Sequence, residues 1–158
     1  MSDLMKNEIK AKEVMVCDVI TLSPQMTARE ASRVFSVNQI SGAPVVSEDG
    51  TLCGVLSQTD LVREAFEGEL GNFPSNTYYI GALYFAENIT DTVLEKLEDF
   101  LVEDAMSSDV VTVSPEDTVS HVARTLRSNK IHRVIVSDNG SVCGVITSFD
   151  LLALLEQQ

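Results

Sequence analysis

The chain of 158 residues has few of the side chains on which catalytic and metal chemistry usually depend. It contains two histidines, three cysteines, four prolines and no tryptophan. Cys17, Cys53 and Cys143 are odd in number and lack the spacing of metal ligands, so neither a disulfide framework nor a metal site is expected. With only His121 and His132 available, no Ser-His-Asp or Cys-His set can be assembled. No Gly-rich phosphate loop occurs either. We therefore expect no enzyme activity.

Basic residues and long apolar runs are also scarce. The chain has 11 lysines and arginines against 24 acidic residues, a formal net charge of −13. A partner such as nucleic acid or an anionic membrane needs a basic surface on the protein, so neither is expected to bind. No apolar run is long enough to span a membrane, and the first residues lack the apolar region of a signal peptide. These absences predict a cytoplasmic protein.

One pattern, in contrast, is present twice. It reads Gly54-Val55-Leu56-Ser57-Gln58-Thr59-Asp60 and returns as Gly144-Val145-Ile146-Thr147-Ser148-Phe149-Asp150. In each copy an apolar strand end is followed by a hydroxyl residue and, three residues later, by an aspartate just before an apolar run. This is the signature of a capping box at the start of a helix. A single copy would indicate no more than a helix cap.

The repetition extends well beyond this turn. A shift of 91 residues aligns Met15 with Met106 and Ser23-Pro24 with Ser114-Pro115, and later a shift of 90 aligns the two Cys-Gly-Val stretches. Within each copy the patterns predict strand, helix, strand, hairpin, strand and helix, which is an α/β unit with helices on one face of a small sheet. A copy of about 55 residues buries little core alone, so we expect the two to share an interface.

Several elements can be predicted individually. The sequence predicts a short strand at 19–22 and a capping box at Thr27–Glu30. An acidic amphipathic helix is predicted at 92–102, and Asn139-Gly140 indicates a tight hairpin. The cysteines beside Gly54 and Gly144 are interpreted as small buried thiols. The predicted inner faces of the first helix of each copy consist of Ala28, Ala31, Ser32 and Phe35, and of Val119, Val122, Ala123 and Leu126.

The stretch between the copies has a composition of its own. From Glu64 to Asp104 it carries ten acidic residues and one base, so it accounts for −9 of the net charge. It also contains all three tyrosines, Tyr78, Tyr79 and Tyr84. Two interpretations stay open: a crossing segment that packs its aromatic residues on the copies, or an appendage that binds a partner or locks a dimer.

The ordered set of motifs resembles the CBS domain, named for cystathionine β-synthase. The resemblance is carried by Met-x-x-x-Val-x-Thr-x-Ser-Pro, Ile-Ser-Gly-Ala-Pro-Val-Val and Gly-Val-Leu-Ser-x-x-Asp, and by Ile131-His132-Arg133-Val134 in the second copy. It implies one repeat at 11–66, an acidic and aromatic connector at 67–101, and a second repeat at 102–156. Tandem repeats of this kind pack two sheets about a pseudo-twofold axis. The two clefts between them commonly bind AMP, ADP, ATP or S-adenosylmethionine.

The resemblance also implies a role for each site residue. A carboxylate can accept hydrogen bonds from both ribose hydroxyls of an adenosine, and a hydroxyl at a helix start lies beside free N–H groups that favour phosphate. Apolar residues near the strand starts would form a wall for adenine. The implied set is Asp60 and Asp150 for ribose, Ser57 and Thr147 at the helix starts, Thr21 and Thr112 beside the base, Ile40, Gly42, Ala43, Pro44, Val134 and Ile135 around adenine, and His132 with Arg133 for phosphate.

The two repeats differ at the phosphate position. The first has Ser41-Gly42 where the second has His132-Arg133. In the family, this cationic pair reaches the phosphate of a nucleotide whose ribose lies on the other repeat. The resemblance therefore implies that the Asp60 cleft is equipped for phosphate and that the Asp150 cleft is not.

Two functions from different classes follow. The first is a stand-alone regulatory module that binds an adenosine nucleotide as a regulatory ligand, needs no cofactor and acts on a partner protein. The alternative is a CBS pair without ligand that serves as a scaffold for dimerisation or for a partner bound through the connector. A homodimer is expected in either case, because the helices after Asp60 and Asp150 carry more apolar residues than one small sheet needs, and family members pair through such helices.

Overall fold

The structure is a computed structural model and describes residues 9–65 and 91–157, without the side chains of residues 91–93. Short strands and helices are combined in both parts of the chain, and the order of elements after residue 101 matches the order before residue 66 except for one extra two-residue strand, which confirms the α/β class and the two repeats. The elements are α1 (Ala11–Val14), α2 (Ala28–Asn38), β1 (Gly42–Val46), β2 (Leu52–Ser57), α3 (Gln58–Ala65), α4 (Asp91–Glu98), α5 (Val102–Ala105), β3 (Thr112–Val113), α6 (Val119–Asn129), β4 (Arg133–Asp138), β5 (Ser141–Thr147) and α7 (Ser148–Glu156). The three tyrosines of the connector lie outside the described residues.

The chain forms two compact units whose boundaries differ from those of the sequence repeats. The Asp60 unit comprises residues 20–110, and the Asp150 unit comprises the residues up to 19 together with those from 111 onward. Helix α1 therefore packs with the second repeat, although it is the first element of the first repeat in sequence. Helix α5 packs with the first repeat in the same way.

Paired methionines and glycines explain this exchange of segments. In the Asp60 unit a Cβ atom at Gly54 would lie 2.7 Å from Sδ of Met106, and in the Asp150 unit a Cβ at Gly144 would lie 2.8 Å from Sδ of Met15. Only glycine lets a methionine of the incoming segment approach the strand so closely. Backbone hydrogen bonds between Val55 and Ser107, both 2.9 Å, hold the first of these segments in place.

In the Asp60 unit, β1 and β2 form an antiparallel pair in which Gly42 is opposite Ser57. The predicted strand at 19–22 is reduced to a single parallel bridge between Leu22 and Val45. The prediction was too long because Val19 closes a turn onto the carbonyl of Cys17, which leaves only Leu22 extended along β1. The buried core consists of Leu22, Ala28, Ala31, Phe35, Ala43, Val45, Leu56, Leu61, Val62, Leu97 and Val102.

Helix α2 begins as its sequence predicts. The N–H of Glu30 donates to Oγ1 of Thr27 over 3.1 Å, and the N–H of Thr27 donates to Oε2 of Glu30 over 2.8 Å. The helix ends at Gln39, whose φ of 54° places it in the left-handed region. Its predicted inner face is confirmed, since Ala28, Ala31, Ser32 and Phe35 are all buried.

The predicted acidic helix at 92–102 is shorter than expected. Helix α4 spans Asp91–Glu98, and a separate turn of helix, α5, begins at Val102. The helix stops because the following residues pair with the loop before α2: the N–H of Val102 donates to the carbonyl of Met26 over 2.8 Å, and Leu101 forms a bridge with Thr27. Those long-range partners replace the contacts that would continue the helix.

In the Asp150 unit, β3 runs parallel to β4, and β4 is antiparallel to β5. The predicted Asn139-Gly140 hairpin is confirmed, and both residues have positive φ, 50° and 82°. Three of the four residues predicted for the inner face of α6 are buried, but Ala123 is exposed. The two predicted buried thiols, Cys53 and Cys143, are free and half-buried. The core consists of Ala11, Val113, Val122, Leu126, Val134, Val136 and Ile146.

Candidate functional site

The first repeated turn links the end of β2 to the start of α3 through a reciprocal capping box. The N–H and the hydroxyl of Ser57 both donate to Oδ2 of Asp60, each over 2.8 Å. The N–H of Asp60 in turn donates to Oγ of Ser57 over 3.2 Å. The aspartate side chain is thereby held in one orientation at the first turn of the helix, where free backbone N–H groups also lie.

The second turn has the same geometry at the start of α7. The N–H of Thr147 donates to Oδ2 of Asp150 over 2.7 Å and its hydroxyl donates to the same oxygen over 2.9 Å. The N–H of Asp150 donates to Oγ1 of Thr147 over 3.3 Å. The capping boxes predicted at both turns are therefore confirmed.

Each capping box uses only one of the two carboxylate oxygens. Within the described part of the chain, Oδ1 of Asp150 accepts no hydrogen bond. Oδ1 of Asp60 accepts one, from Nη1 of Arg63 over 3.3 Å, and that arginine is largely exposed. An ionised carboxylate oxygen can accept more than one hydrogen bond. Both turns can therefore cap a helix with one oxygen and bind a hydroxyl of a ligand with the other.

The start of the preceding strand lies beside each turn. The N–H of Gln58 donates to the carbonyl of Ser41, and the N–H of Ser148 donates to the carbonyl of His132, both over 2.9 Å. Arg133 is opposite Thr147 in the β4–β5 pair, as Gly42 is opposite Ser57 in the first pair. The structure thus brings the position that differs between the repeats next to the hydroxyl residue of each turn.

Gly42 also has a local structural role. A Cβ atom at this position would lie 2.9 Å from the carbonyl oxygen of Leu56, closer than real Cβ contacts. The first repeat therefore has no room for a side chain where the second repeat has Arg133. The two repeats therefore differ at this position in backbone packing as well as in charge.

A hollow of about 400 Å³ lies in the Asp150 unit next to His132. This volume is within the range of small-molecule sites, about 300–1,000 Å³. Two cations that the sequence analysis did not select, Arg127 and Lys130, line it together with His132. Lys130 follows α6 in the left-handed conformation, with φ of 54°. Its position two residues before His132 is the signal that could have identified it. The full lining is Ala123, Leu126, Arg127, Lys130, Ile131, His132 and Ser148.

The remaining predicted site residues divide into exposed and buried groups. Thr21 and Thr112 are exposed, with Thr112 on β3, and Ile40 is half-buried before β1. Ala43 and Val134 belong to the cores of their own units, and Pro44 and Ile135 are also buried. Whether any of these residues forms a wall for adenine stays a prediction, as do the roles of the exposed threonines.

Two further features concern metals and membranes. Among residues 9–65 and 91–157, no group of three or more histidine, cysteine, aspartate or glutamate side chains could hold a metal ion. No helix in the described ranges is long and apolar enough to cross a membrane.

The fold and the site together define a class of protein. Its members consist of two small α/β units, each with a capped aspartate at a strand-to-helix turn. The family model described as the CBS domain matches residues 11–67 and 102–157, which together exceed half of the chain. The chain therefore belongs to the CBS domain family.

Known proteins of similar sequence support this assignment. An uncharacterized protein of Methanocaldococcus jannaschii is 32% identical over 134 residues, which cover 78% of this chain and 77% of that protein. Other curated relatives are longer, and the chain spans 40%, 42% and 23% of the length of three of them.

Solved structures support the fold. A structure of CBSX2 in complex with AMP has a TM-score of 0.70 at 20% identity, covering 94% of this chain and 97% of that chain. The CBS domain pair of protein MJ0100, in complex with 5-methylthioadenosine and S-adenosyl-L-methionine, has a TM-score of 0.65 at 23% identity, covering 94% and 96%. At these identities the similarity establishes the shared fold and leaves the ligand of this chain open.

Proposed function

We propose that this protein is a regulatory module that binds an adenosine nucleotide or S-adenosylmethionine at its CBS repeats. The observation that carries the proposal is the state of the two aspartates. Asp60 and Asp150 are each held by a capping box through Oδ2. Among the described residues, Oδ1 of Asp150 has no hydrogen-bond donor and Oδ1 of Asp60 has only the exposed Arg63, so both oxygens can accept a hydrogen bond from a ligand. A ribose diol offers two hydroxyl donors to such a carboxylate, and hydrogen bonds to a charged acceptor are the stronger kind.

The phosphate would be bound by cations near the start of β4. His132 and Arg133 are both exposed there, and Lys130 and Arg127 line the same hollow as His132. A phosphate binds well where several charged donors converge on it. That Arg133 serves the nucleotide whose ribose is at Asp60, so that only one site takes phosphate, stays a prediction of the family resemblance.

Related structures support the ligand class. CBSX2 was solved with AMP, and protein MJ0100 with two ligands that both contain adenosine. We therefore propose an adenine nucleotide as a regulatory ligand, with no cofactor required and no catalytic role for the chain. A homodimer, a regulated partner protein and a cytoplasmic location complete the proposal.

A thermal-shift panel of AMP, ADP, ATP, adenosine and S-adenosylmethionine tests the proposal. A ligand at about a hundred times its dissociation constant stabilises the folded state by roughly 2.7 kcal/mol. For a chain of this size, this corresponds to a rise of about 5–10 °C in the melting temperature. No shift with any of these compounds at millimolar concentration would contradict ligand binding.

One observation favours the scaffold as a second candidate. Helix α7 has three large apolar side chains that are exposed to solvent, Phe149, Leu152 and Leu155. Such a face on a small domain is typical of an interaction surface. A protein that dimerises but gives no thermal shift with the panel would fit the scaffold and not the sensor.

A further inference from the structure

Basic residues are concentrated in one short part of this acidic chain. Residues 119–137 contain both histidines and four of the 11 lysines and arginines, Arg124, Arg127, Lys130 and Arg133, with no aspartate or glutamate. In the Asp150 unit this segment forms α6 and most of β4. A local excess of positive charge, in a chain whose formal net charge is −13, indicates a surface suited to an anion.

Two of these cations and a histidine line the hollow of the Asp150 unit. Arg127, Lys130 and His132 all belong to its lining, and all three are exposed. In the part of the chain that the structure describes, neither Arg127 nor Lys130 forms an ion pair. The described lining contains no acidic residue either. Like charges that share a site repel one another, so an anion bound between them is favoured.

The fold does not require these charges. The first repeat has Ser36, Gln39 and Ser41 at the equivalent positions, and all three are neutral. The end of the helix is nevertheless the same in both repeats, since Gln39 and Lys130 both have a φ of 54°. The same backbone therefore forms with or without the cations, and we attribute the cations to binding and not to folding.

The rest of the lining is mostly apolar. Ala123, Leu126 and Ile131 contribute apolar side chains, and Ser148, the first residue of α7, adds a hydroxyl at the start of a helix, where anions are favoured. The volume of about 400 Å³ is in the range of sites for small organic molecules, about 300–1,000 Å³. The hollow thus combines donors for an anionic group with apolar surface for an organic body.

The hollow does not include the carboxylate proposed to bind ribose. Ser148 lines the hollow, but Asp150 and Arg133 do not belong to its lining. Residues two apart in a helix do not face the same side, so Ser148 and Asp150 lie on different sides of the start of α7. The Asp150 carboxylate also accepts a hydrogen bond from the N–H of Thr147, which holds it at the capping box. An anion in the hollow therefore does not depend on this aspartate.

We propose that this hollow is a separate site for a small organic phosphate ester. The phosphate is held by Arg127 and Lys130 together with His132, and the organic part packs on the apolar side chains of the lining. A phosphate monoester carries nearly two negative charges and three acceptor oxygens, which suit the fork of an arginine and the ammonium of a lysine. This inference goes beyond the proposed function, in which the cations here assist the phosphate of an adenosine nucleotide.

Calorimetry on the full chain with three probes tests the class of ligand. Phenyl phosphate has both an apolar body and a dianionic group, whereas inorganic phosphate lacks the body and phenol lacks the charge. Phenyl phosphate should bind at one site per chain, and roughly tenfold or more tightly than either other probe, because it uses both kinds of contact. Equal affinity for inorganic phosphate, or no binding of phenyl phosphate at millimolar concentration, would overturn the proposal.

Charge variants test the location of the site. Arg127→Gln/Lys130→Gln should bind phenyl phosphate roughly a hundredfold more weakly, because two charged donors are lost. The matched control is Arg33→Gln/Arg124→Gln, which removes the same charge from exposed positions outside the hollow and should keep the affinity of the wild-type protein. Equal affinities of the two double variants for phenyl phosphate would place the site elsewhere and overturn the proposal.

Titration of the same variants with AMP distinguishes a separate site from the phosphate position of a nucleotide. A separate site predicts that Arg127→Gln/Lys130→Gln keeps its affinity for AMP while it loses phenyl phosphate. An equal loss of both ligands would assign the hollow to the nucleotide, which would overturn this inference and leave the proposed function standing. Binding of phenyl phosphate by a protein that binds neither AMP nor adenosine would support this inference and contradict only the proposed function.

Discussion

The state of the Asp60 carboxylate leads to the first prediction at the scale of single residues. Asp60→Ala removes the acceptor proposed for the ribose diol, which adenosine and AMP share. A hydrogen bond to a charged group contributes about 1.5–3 kcal/mol, so both ligands should bind about ten- to a hundredfold more weakly by calorimetry. Asp49→Ala is the matched control, since this aspartate of the same unit is bonded within its own hairpin turn. Unchanged affinity of Asp60→Ala for adenosine would contradict the ribose assignment.

The second prediction separates the two aspartates. Asp150→Ala should affect only a second site that does not depend on phosphate, and should leave the affinity of the site at Asp60 unchanged. The reason is that the capping boxes are local, each formed within one turn of one helix. Calorimetric titration with adenosine reports both the number of sites and their affinities. A loss of both sites in Asp150→Ala would show that they are coupled.

Arg133 gives the third prediction, which concerns phosphate alone. Arg133→Ala should weaken AMP binding by roughly ten- to a hundredfold and leave adenosine nearly unaffected, because only AMP carries the group that a guanidinium binds. Arg124→Ala, on the exposed surface of α6, serves as the matched control. If adenosine is weakened as much as AMP, Arg133 has a structural role.

At the scale of elements, the hairpin between β1 and β2 shows how the stability of a turn depends on pH. The hydroxyl of Ser47 donates to Asp49, and the N–H of Thr51 donates to the same carboxylate over 3.1 Å. These hydrogen bonds, that of Ser47 first, lower the pKa of Asp49 from its ordinary value of 3.8. Because the folded state favours the ionised form, the stabilisation is present above the unfolded pKa and is lost as the pH falls through the folded value.

The fourth prediction follows from the lowered pKa of Asp49, which makes the folded protein less stable as the pH falls. Urea unfolding between pH 5 and pH 2 should show a steeper loss of stability in the wild-type protein than in Asp49→Asn. The variant has no carboxylate at position 49 whose protonation would cost stability. An NMR titration of the side-chain carboxyl should give a midpoint below 3.8. A midpoint at or above that value would contradict the structure of the turn.

The elements also show what sequence patterns can and cannot predict. The helix starts at Thr27, Ser57 and Thr147 were predictable because a capping box is local, with all its partners within three residues. The end of α4 was not predictable, since it depends on the bond from Val102 to the distant Met26. The exposure of Ala123 escaped prediction for a related reason: helical periodicity shows which face is apolar but not whether another helix covers its edge.

The candidate site likewise has one part that the local sequence predicts and another part that depends on distant contacts. The Ser–Asp and Thr–Asp pairs are only three residues apart in sequence and could be predicted with their geometry. Lys130 was missed because its closeness to His132 in sequence does not by itself show that both residues line one hollow, which depends on the left-handed conformation of Lys130 after α6 and on the fold around it. The burial of Ala43 and Val134 could not be read from apolar character alone, which suits a ligand wall and a protein core equally well.

At the scale of the whole molecule, the fifth prediction concerns which part of the chain can fold alone. The first sequence repeat, residues 11–66, lacks Leu97 and Val102, which are fully buried in the core of the Asp60 unit. It also lacks Ser107, whose backbone pairs with Val55. Deleting large side chains from a core costs about 2–5 kcal/mol each, which approaches the total stability of a small domain. A fragment of residues 20–110 should therefore melt cooperatively by circular dichroism, and a fragment of residues 11–66 should not. Cooperative melting of the shorter fragment would show that the sequence repeat, and not the compact unit, is what folds.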